Sequence, residues 1–340
     1  MSVGTKLTDA TPENNNCRVL VTGASGYLAI HCVQQLLQQG YKVRGTVRDL
    51  NCLEKIHPLQ QLANSDRLEL FRVTLEDDAD AWEKAITDCM YVLHIASPCD
   101  LAASDATVQI AVCGTLNVLR VGHKDREKVF TESDWTDLNW KHLNAYHRSK
   151  VLAEKAAWNF MEKNPDVSFS LTVLNPSLIV GPSLQSAKGA SVSIISRFMD
   201  GSMPAYPAMK LGLVDVRDVA RAHILAMKNG RCDGQRILIT AEALSFHRIA
   251  DILREEFGKQ GYSIPRFRAP YVALWLYSMV DEVALQALPL YEHKDKLNNS
   301  KASQLLGLSY YDVRKSLIEM VYDMIERNIL PRKKSTKVKK

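Results

Sequence analysis

From residue 17 onward, short apolar runs alternate with helical patterns. Arg18–Thr22 (RVLVT) reads as a strand, and a glycine-containing turn leads into the helical stretch Tyr27–Gln39, closed by Gly40. Lys42–Val47, Leu68–Val73 and Tyr91–Ile95 read as the next three strands, with helix-like segments before the last two. Continuous apolar runs, rather than strict alternation, suit strands buried on both faces of a parallel sheet. The β-α-β-α order predicts right-handed crossovers and an α/β fold with a doubly wound parallel sheet of Rossmann type. Thr107–Val121 reads as a further helix, His142–Lys163 as a long one, and Ser168–Leu174 as a strand ending at Asn175-Pro176. Beyond about residue 177 the pattern loosens, and Gly181, Pro182, Gly189, Gly201, Pro204 and Pro207 mark loops between short elements. The expected organisation is a disordered polar leader (1–16), a Rossmann-type core (17–176), a smaller C-terminal substrate lobe with elements returning to the core (177–330) and a disordered basic tail (331–340).

Composition changes little, because 46% hydrophobic and 24% charged residues are ordinary for a folded chain of 340 residues. The net charge of +5 has a local origin. Six of the 43 basic residues lie in 331–340 (PRKKSTKVKK), which leaves the rest within one charge of balance against 38 acidic residues. A frayed, solvated end is the simplest reading of that tail, and a weak patch for an anionic membrane or nucleic acid is the other. Seven scattered cysteines without a C-x-x-C pair fit a reducing cytosol better than a disulfide framework or a zinc ribbon. The leader lacks the apolar core of a signal peptide, so a cytoplasmic location is expected. Ala269–Val280 (APYVALWLYSMV) is too short for a bilayer span and is expected in the core, where it would line a substrate cleft. The histidines form no H-E-x-x-H pattern, so no metal site is expected.

Three motifs carry chemistry. VTGASGYLA (21–29) places Gly23 and Gly26, with Ala29 as a third small residue, between a strand and a helix. Such a turn lets the backbone approach a pyrophosphate, and the helix N-terminus adds free N–H groups and positive potential. Gly23, Ser25, Gly26, Tyr27 and Leu28 are the candidate contacts. At the tip of the second strand, V-R-G-T-V-R-D, Arg48 takes the place where an acidic residue would favour NAD, and Lys55 follows. These two cations would clamp a 2′-phosphate, which points to NADP(H); a surface ion pair between Arg48 and Asp49 is the alternative. Finally, Tyr146 and Lys150 stand four residues apart on one helix face, the pairing that lets a phenol exchange a proton with a carbonyl oxygen. The same spacing recurs at Tyr206/Lys210 and Tyr311/Lys315, but a Pro-flanked loop and the C-terminal end are poor places for it.

Together these residues resemble an extended short-chain dehydrogenase/reductase, closest to the dihydroflavonol reductase and cinnamoyl-CoA reductase group. The resemblance covers nearly the whole chain through TGASGYLA, VRGTVRD, VLHIASP (92–98), GTLNVLR (114–120), YHRSK, NPSLIVGP (175–182), GLVDVRDVARAHI (212–224) and NNSK (298–301). It implies that Arg48 and Lys55 meet the adenosine phosphate and that Ala96 and Ser97 pass near the cofactor. It further implies that Pro176 and Ile179 frame the nicotinamide, that Tyr146 and Lys150 are catalytic, and that residues beyond about 180 close over a ketone or aldehyde. The expected function is an NADP(H)-dependent oxidoreductase acting on a small or medium, partly apolar carbonyl compound, as a monomer or homodimer without a specific nucleic-acid partner.

Two features depart from the family pattern. Thr74 stands where the family has an Asp after the third strand. More seriously, Lys124 runs almost directly into Asp125-Arg126-Glu127, whereas the family has another strand here, ending in T-S-S, whose Ser meets the substrate carbonyl. A strand and its turns, about 10–18 residues, have no counterpart. One candidate replacement is residues 127–132 pairing beside Tyr91–Ile95, with Ser133 acting beside Tyr146; the other reading is a surface loop, with the sheet disrupted or its sixth strand shifted inward. The second functional hypothesis follows from this gap: a catalytically impaired NADP-binding pseudoenzyme or an incomplete variant of a reductase.

Overall fold

Leu20 and its neighbours Val19 and Val21 have no exposed surface, because strand β1 (Arg18–Val21) is covered on both faces. It lies at the centre of a parallel sheet with β2 (Lys42–Val47), β3 (Leu68–Arg72) and β4 (Tyr91–Leu93), in the order β3-β2-β1-β4. Helices α1 (Tyr27–Gln38), α2 (Leu53–Gln60) and α3 (Ala79–Ile86) connect these strands. The computed structural model describes residues 14–97, 129–136, 138–139, 145–186, 189–288, 291–292 and 296–333. The helix expected over Thr107–Val121, most of the leader and the last residues of the tail lie outside that set. The ends of both expected disordered segments are nonetheless built into the fold. Asn14–Asn16 form a short helical turn, with Asn14 donating to the Gln39 carbonyl at 2.9 Å, and the Pro331 carbonyl accepts from the Tyr262 hydroxyl at 2.8 Å.

A buried cation stiffens the sheet. Arg44 on β2 pairs with Glu69 of β3 at 2.9 Å and donates to the carbonyls of Ala85 and Thr87 at 3.0 and 2.8 Å. These carbonyls close α3, whose C-terminal acceptors would otherwise lack partners.

The second half contributes β5 (Val129–Phe130), α4 (Ala145–Lys163), β6 (Val173–Pro176), β7 (Leu178–Val180), α5 (Ala190–Met199), β8 (Lys210–Asp215) and α6 (Val216–Met227). It continues with β9 (Arg236–Ile239), β10 (Glu242–Ser245), α7 (Phe246–Phe257), α8 (Tyr271–Tyr277), α9 (Glu282–Ala287), β11 (Lys296–Leu297), α10 (Ser300–Leu306) and α11 (Val313–Glu326). β6 pairs in parallel with β9, β7 in parallel with β8, and β8 antiparallel with β10. The strand expected from Ser168 starts only at Val173, where its ladder with Arg236 begins.

Among the described residues the candidate replacement strand does not pair with β4. Val129–Phe130 pairs with Lys296–Leu297 instead of β4, and Ser133 is exposed, its hydroxyl 2.8 Å from that of Thr131. The cause is the free edge of β9. Glu132 accepts from the Leu238 N–H at 3.1 Å, and Arg236 donates to the carbonyls of Glu132 and Asp134. The Arg236 guanidinium also lies 3.9 Å over the Trp135 ring. This segment is therefore held against β9. Among the described residues no strand bridges β4 and β6, and Val92 on β4 is 45% exposed. The two ladders still share one apolar core, to which Val21, Leu93, Leu174, Ile237 and Ile239 all belong.

At the β8–α6 junction, the fully buried Asp215 accepts from Arg217 N at 2.7 Å, from Arg217 Nε at 2.8 Å and Nη2 at 2.7 Å, and from Ser316 Oγ at 2.6 Å. Arg217 also reaches Glu319 at 2.7 Å, so α11 is bound to the middle of the molecule. Ala269–Val280 departs from its expected place in the core. Ala269, Leu274 and Ser278 are buried, but Tyr271, Val272, Trp275, Leu276, Tyr277, Met279 and Val280 are exposed.

Candidate active site

The turn after β1 has the geometry the glycine spacing calls for. Gly23 has φ 62°, and a Cβ there would lie 3.0 Å from Ala96 Cβ and 3.1 Å from Ala96 Cα. Gly23 N donates to Thr46 Oγ1 at 3.0 Å, Ala24 N to the Thr46 carbonyl at 2.8 Å, and Gly26 N to the Gly23 carbonyl at 2.7 Å. Gly26 precedes α1 with no side chain capping the helix, and no acidic residue stands in the first turn. The open N–H groups at this end, including those of Tyr27 and Leu28, are a cradle for an anion. Ser25 is half-buried beside them.

The side chains of Tyr27 and Leu28 face inward rather than toward a ligand. Leu28 packs in the core, and the Tyr27 hydroxyl donates to the Gly181 carbonyl at 2.7 Å. Burial, and then the charges of Asp215 and Asp323, push the Tyr27 phenol well above its ordinary range, so it stays a donor. Gly181 has φ 121°, and a Cβ there would lie 3.0 Å from the Asp215 carboxylate. This tie joins the turn to the C-terminal lobe.

One turn along α1, His31 Nε2 lies 2.9 Å from the Pro182 carbonyl. A carbonyl only accepts, so the proton sits on Nε2, and Nδ1 is buried without a partner. Burial lowers the His31 pKa to about 4. An unfolded histidine titrates near ~6.5, so the unfolded chain binds the extra proton first as pH falls. The contribution of neutral His31 is whole above that value and is lost as pH drops toward 4. Asp218 acts oppositely in the same range, since burial raises its carboxyl to about 6. The total pH curve is therefore not diagnostic, but the difference from a variant is. Between pH 7.5 and pH 4.5, wild type should lose about 2–3 kcal/mol relative to His31→Gln in urea denaturation; parallel pH curves would refute this.

Thr22 organises the loop after β4. Its Oγ1 accepts from Ile95 N and Ala96 N, both at 2.9 Å, and lies 3.1 Å from His94 Nδ1. With two donors already on the oxygen, the hydroxyl hydrogen goes to Nδ1, which must be unprotonated. Burial lowers the His94 pKa and favours that neutral form. The loop so fixed ends at Ser97, whose Oγ accepts from Lys150 Nζ at 3.1 Å. Lys150 is 1% exposed on α4. Tyr146 lies one turn earlier on the same helix, and its side chain is outside the described residues.

The remaining candidates are spread around this centre. Arg48 is exposed just past β2. No ion pair joins it to Asp49 among the described residues; Asp49 accepts instead from Asn51 N at 2.9 Å. Lys55 on α2 donates to the Ser186 carbonyl at 2.7 Å and thus already links α2 to the lobe. At the departure from the family pattern, Thr74 N donates to Asp77 Oδ2 at 2.7 Å. That bond, and the nearby Arg72, hold the Asp77 carboxyl below its usual range. Pro176 ends β6 opposite Ile239, and Ile179 lies opposite Val214 with its side chain in the core.

Sequence reasoning missed Thr22, Thr46 and His94, which orient the turn and the loop through hydrogen bonds within the chain. VLHIASP was the available signal for His94, but a histidine at a strand end declares its role only once a hydroxyl faces it. Among the described residues, no group of three His, Cys, Asp or Glu side chains could hold a metal ion, and no helix is long and apolar enough to cross a membrane.

A parallel sheet in the order 3-2-1-4, a glycine turn at its centre and a buried lysine delivered from a later helix define a Rossmann-type nucleotide-binding protein. The chain belongs to the NAD dependent epimerase/dehydratase family, whose model matches residues 19–239. Among its relatives, cinnamoyl-CoA reductase CAD2 of Medicago truncatula is 31% identical, over 91% of this chain and 96% of that protein. Gre2 of Candida albicans, solved in complex with NADPH, superposes with a TM-score of 0.70 at 29% identity, over 92% of this chain and 99% of that one. Yeast methylglyoxal/isovaleraldehyde reductase Gre2, also complexed with NADPH, gives a TM-score of 0.72 at 26% identity, with the same coverage.

Proposed function

We propose that this chain is an NADPH-dependent reductase of small or medium, partly apolar aldehydes or ketones. The observation that carries the reading is the Lys150 Nζ–Ser97 Oγ contact of 3.1 Å, which fixes the catalytic helix to the strand end beside the glycine turn. The residues present fit the cofactor. The uncapped start of α1 accepts a pyrophosphate, and Gly23 lies so close to Ala96 that a side chain would not fit between them. Arg48, exposed and with no carboxylate partner among the described residues, suits a 2′-phosphate, and Lys55 would join it by giving up its bond to the Ser186 carbonyl. The NADPH found in both Gre2 structures supports the same assignment.

Bound NADPH would supply a hydride to the carbonyl carbon. The chain's own part is to deliver a proton to the oxygen and to hold the reactants in place. Tyr146 is the proposed donor. Lys150, a turn away, would stabilise the phenolate left behind, because a neighbouring cation favours the charged form of a phenol. Pro176 and Ile179 would bound the nicotinamide side. The reading is tested by following NADPH consumption with a panel of aldehydes and ketones, in wild type and Tyr146→Phe. Wild type should turn over at least one carbonyl class, and removing the phenolic proton should lower kcat by about 10²–10⁴-fold. A thermal shift with NADPH but no turnover on any carbonyl would leave a cofactor binder and refute the reductase.

A further inference from the structure

Three polar side chains on one face of α1 hold backbone carbonyls of the second half of the chain. Tyr27 Oη donates to the Gly181 carbonyl at 2.7 Å, His31 Nε2 to the Pro182 carbonyl at 2.9 Å, and Gln35 Nε2 to the Arg217 carbonyl at 3.0 Å. Their four-residue spacing sets them in a row along the helix. A helix packed against a core ordinarily fills such a row with apolar side chains, yet His31 and Gln35 are buried. His31 Nδ1 and Gln35 Oε1 are moreover buried without partners among the described residues, and each such group destabilises the fold. An apolar row would serve stability better, so the carbonyls are held for another reason.

Position supplies that reason. Tyr27 opens α1, and its own N–H belongs to the uncapped turn that fits a pyrophosphate. Gly181 and Pro182 directly follow β7, a strand of the second half of the fold. A dinucleotide on a doubly wound sheet lies across the carboxyl ends of the strands, with one nucleotide on each half. With the pyrophosphate on the glycine turn, the carboxyl end of β7 belongs to the nicotinamide half. The same short segment is also held from the other direction. A Cβ at Gly181 would lie 3.0 Å from the Asp215 carboxylate, and Ser183 N donates to Asp323 of α11 at 2.9 Å. Residues 181–183 are thus fixed between α1 and α11, and the phenol of Tyr27 is the tie that starts at the cradle itself.

We propose that Tyr27, together with His31, is a positioning residue: by holding the Gly181 and Pro182 carbonyls it sets the span between the pyrophosphate cradle and the wall of the nicotinamide site. The inference rests on the NADPH-dependent reading above for the identity of the ring. Its test compares two ligands on the full chain by titration calorimetry, NADPH and adenosine 2′,5′-bisphosphate, which has both phosphates of the adenosine half and no nicotinamide. Tyr27→Phe removes only the hydroxyl and leaves the N–H groups of the cradle. It should weaken NADPH by about three- to tenfold, the size of one hydrogen bond, and keep adenosine 2′,5′-bisphosphate within about twofold of wild type. His31→Phe, which removes the second tie, should show the same split. With any carbonyl that wild type reduces, the single-turnover oxidation of bound NADPH should slow by at least about threefold in Tyr27→Phe, because a displaced ring is a poorer hydride donor. Equal weakening of both ligands, or a lower melting temperature with both affinities unchanged, would make the ties merely structural and overturn the proposal. The two readings fail separately. Loss of NADPH affinity alone, with no carbonyl reduced by wild type, would sink the reductase and uphold the positioning role. Normal turnover with unsplit affinities would do the reverse.

Discussion

Lys150→Met is expected to reduce carbonyl-dependent NADPH oxidation by about 10²–10⁴-fold, the range for removing a group that acts in proton transfer. The side chain is buried, and its Nζ donates to Ser97 Oγ at 3.1 Å. Methionine keeps most of the aliphatic stem in place and removes the charge and the donor. Packing should therefore survive while the link between α4 and the strand-end loop is lost. Separate measurements of kcat and KM for NADPH show what the lysine does. A fall in kcat reports its effect on the Tyr146 phenol, and a rise in KM reports its effect on the cofactor side. Unchanged turnover, with circular dichroism matching wild type, would remove Lys150 from the mechanism.

Asp215→Ala is expected to cost about 3 kcal/mol of folding stability, the lower end of the range for breaking a buried ion pair. The carboxylate accepts three bonds from Arg217 and one from Ser316. The lower end applies because Arg217 keeps Glu319 at 2.7 Å and is 24% exposed, so its charge is not stranded. Even so, about 3 kcal/mol is a large share of the ~5–15 kcal/mol typical of a folded chain. Urea denaturation should show a lower midpoint at unchanged slope. Asp215→Asn, which keeps an acceptor in place, should lose less. A loss below about 1 kcal/mol for the alanine variant would show that α11 is held mainly by its apolar face, where Val313, Leu317, Met320, Val321 and Met324 are buried.

What was legible in the sequence follows from local rules. Arg18–Val21, Lys42–Val47 and the start of α1 fell where the apolar runs and glycines placed them, because a strand buried on both faces leaves a continuous apolar run. The glycine turn was legible for the same kind of reason: a positive φ at Gly23 and its contact with Ala96 exclude a side chain. The place of Ser133 was left open between two readings, and the core position expected for Ala269–Val280 was not met, because both depend on partners elsewhere in the chain. Glu132 and its neighbours meet Arg236 about a hundred residues later, and no local pattern of KVFTES announces the free edge of β9. APYVALWLYSMV is apolar enough for a core, and hydropathy does not say which side of a helix has a neighbour.

By itself, then, the sequence determined the parallel β-α-β order, the glycine turn, the cation at the tip of β2 and the Tyr146–Lys150 spacing. All of these are set by contacts within one or two elements. The tertiary structure alone decided that Lys150 reaches Ser97, that Thr22 fixes the His94 tautomer, and that the β6–β9 ladder lies apart from β4. It also decided that α8 faces outward. Each of these depends on groups far apart along the chain, and their meeting is set by the packing of the whole sheet and its helices rather than by any run of neighbouring residues.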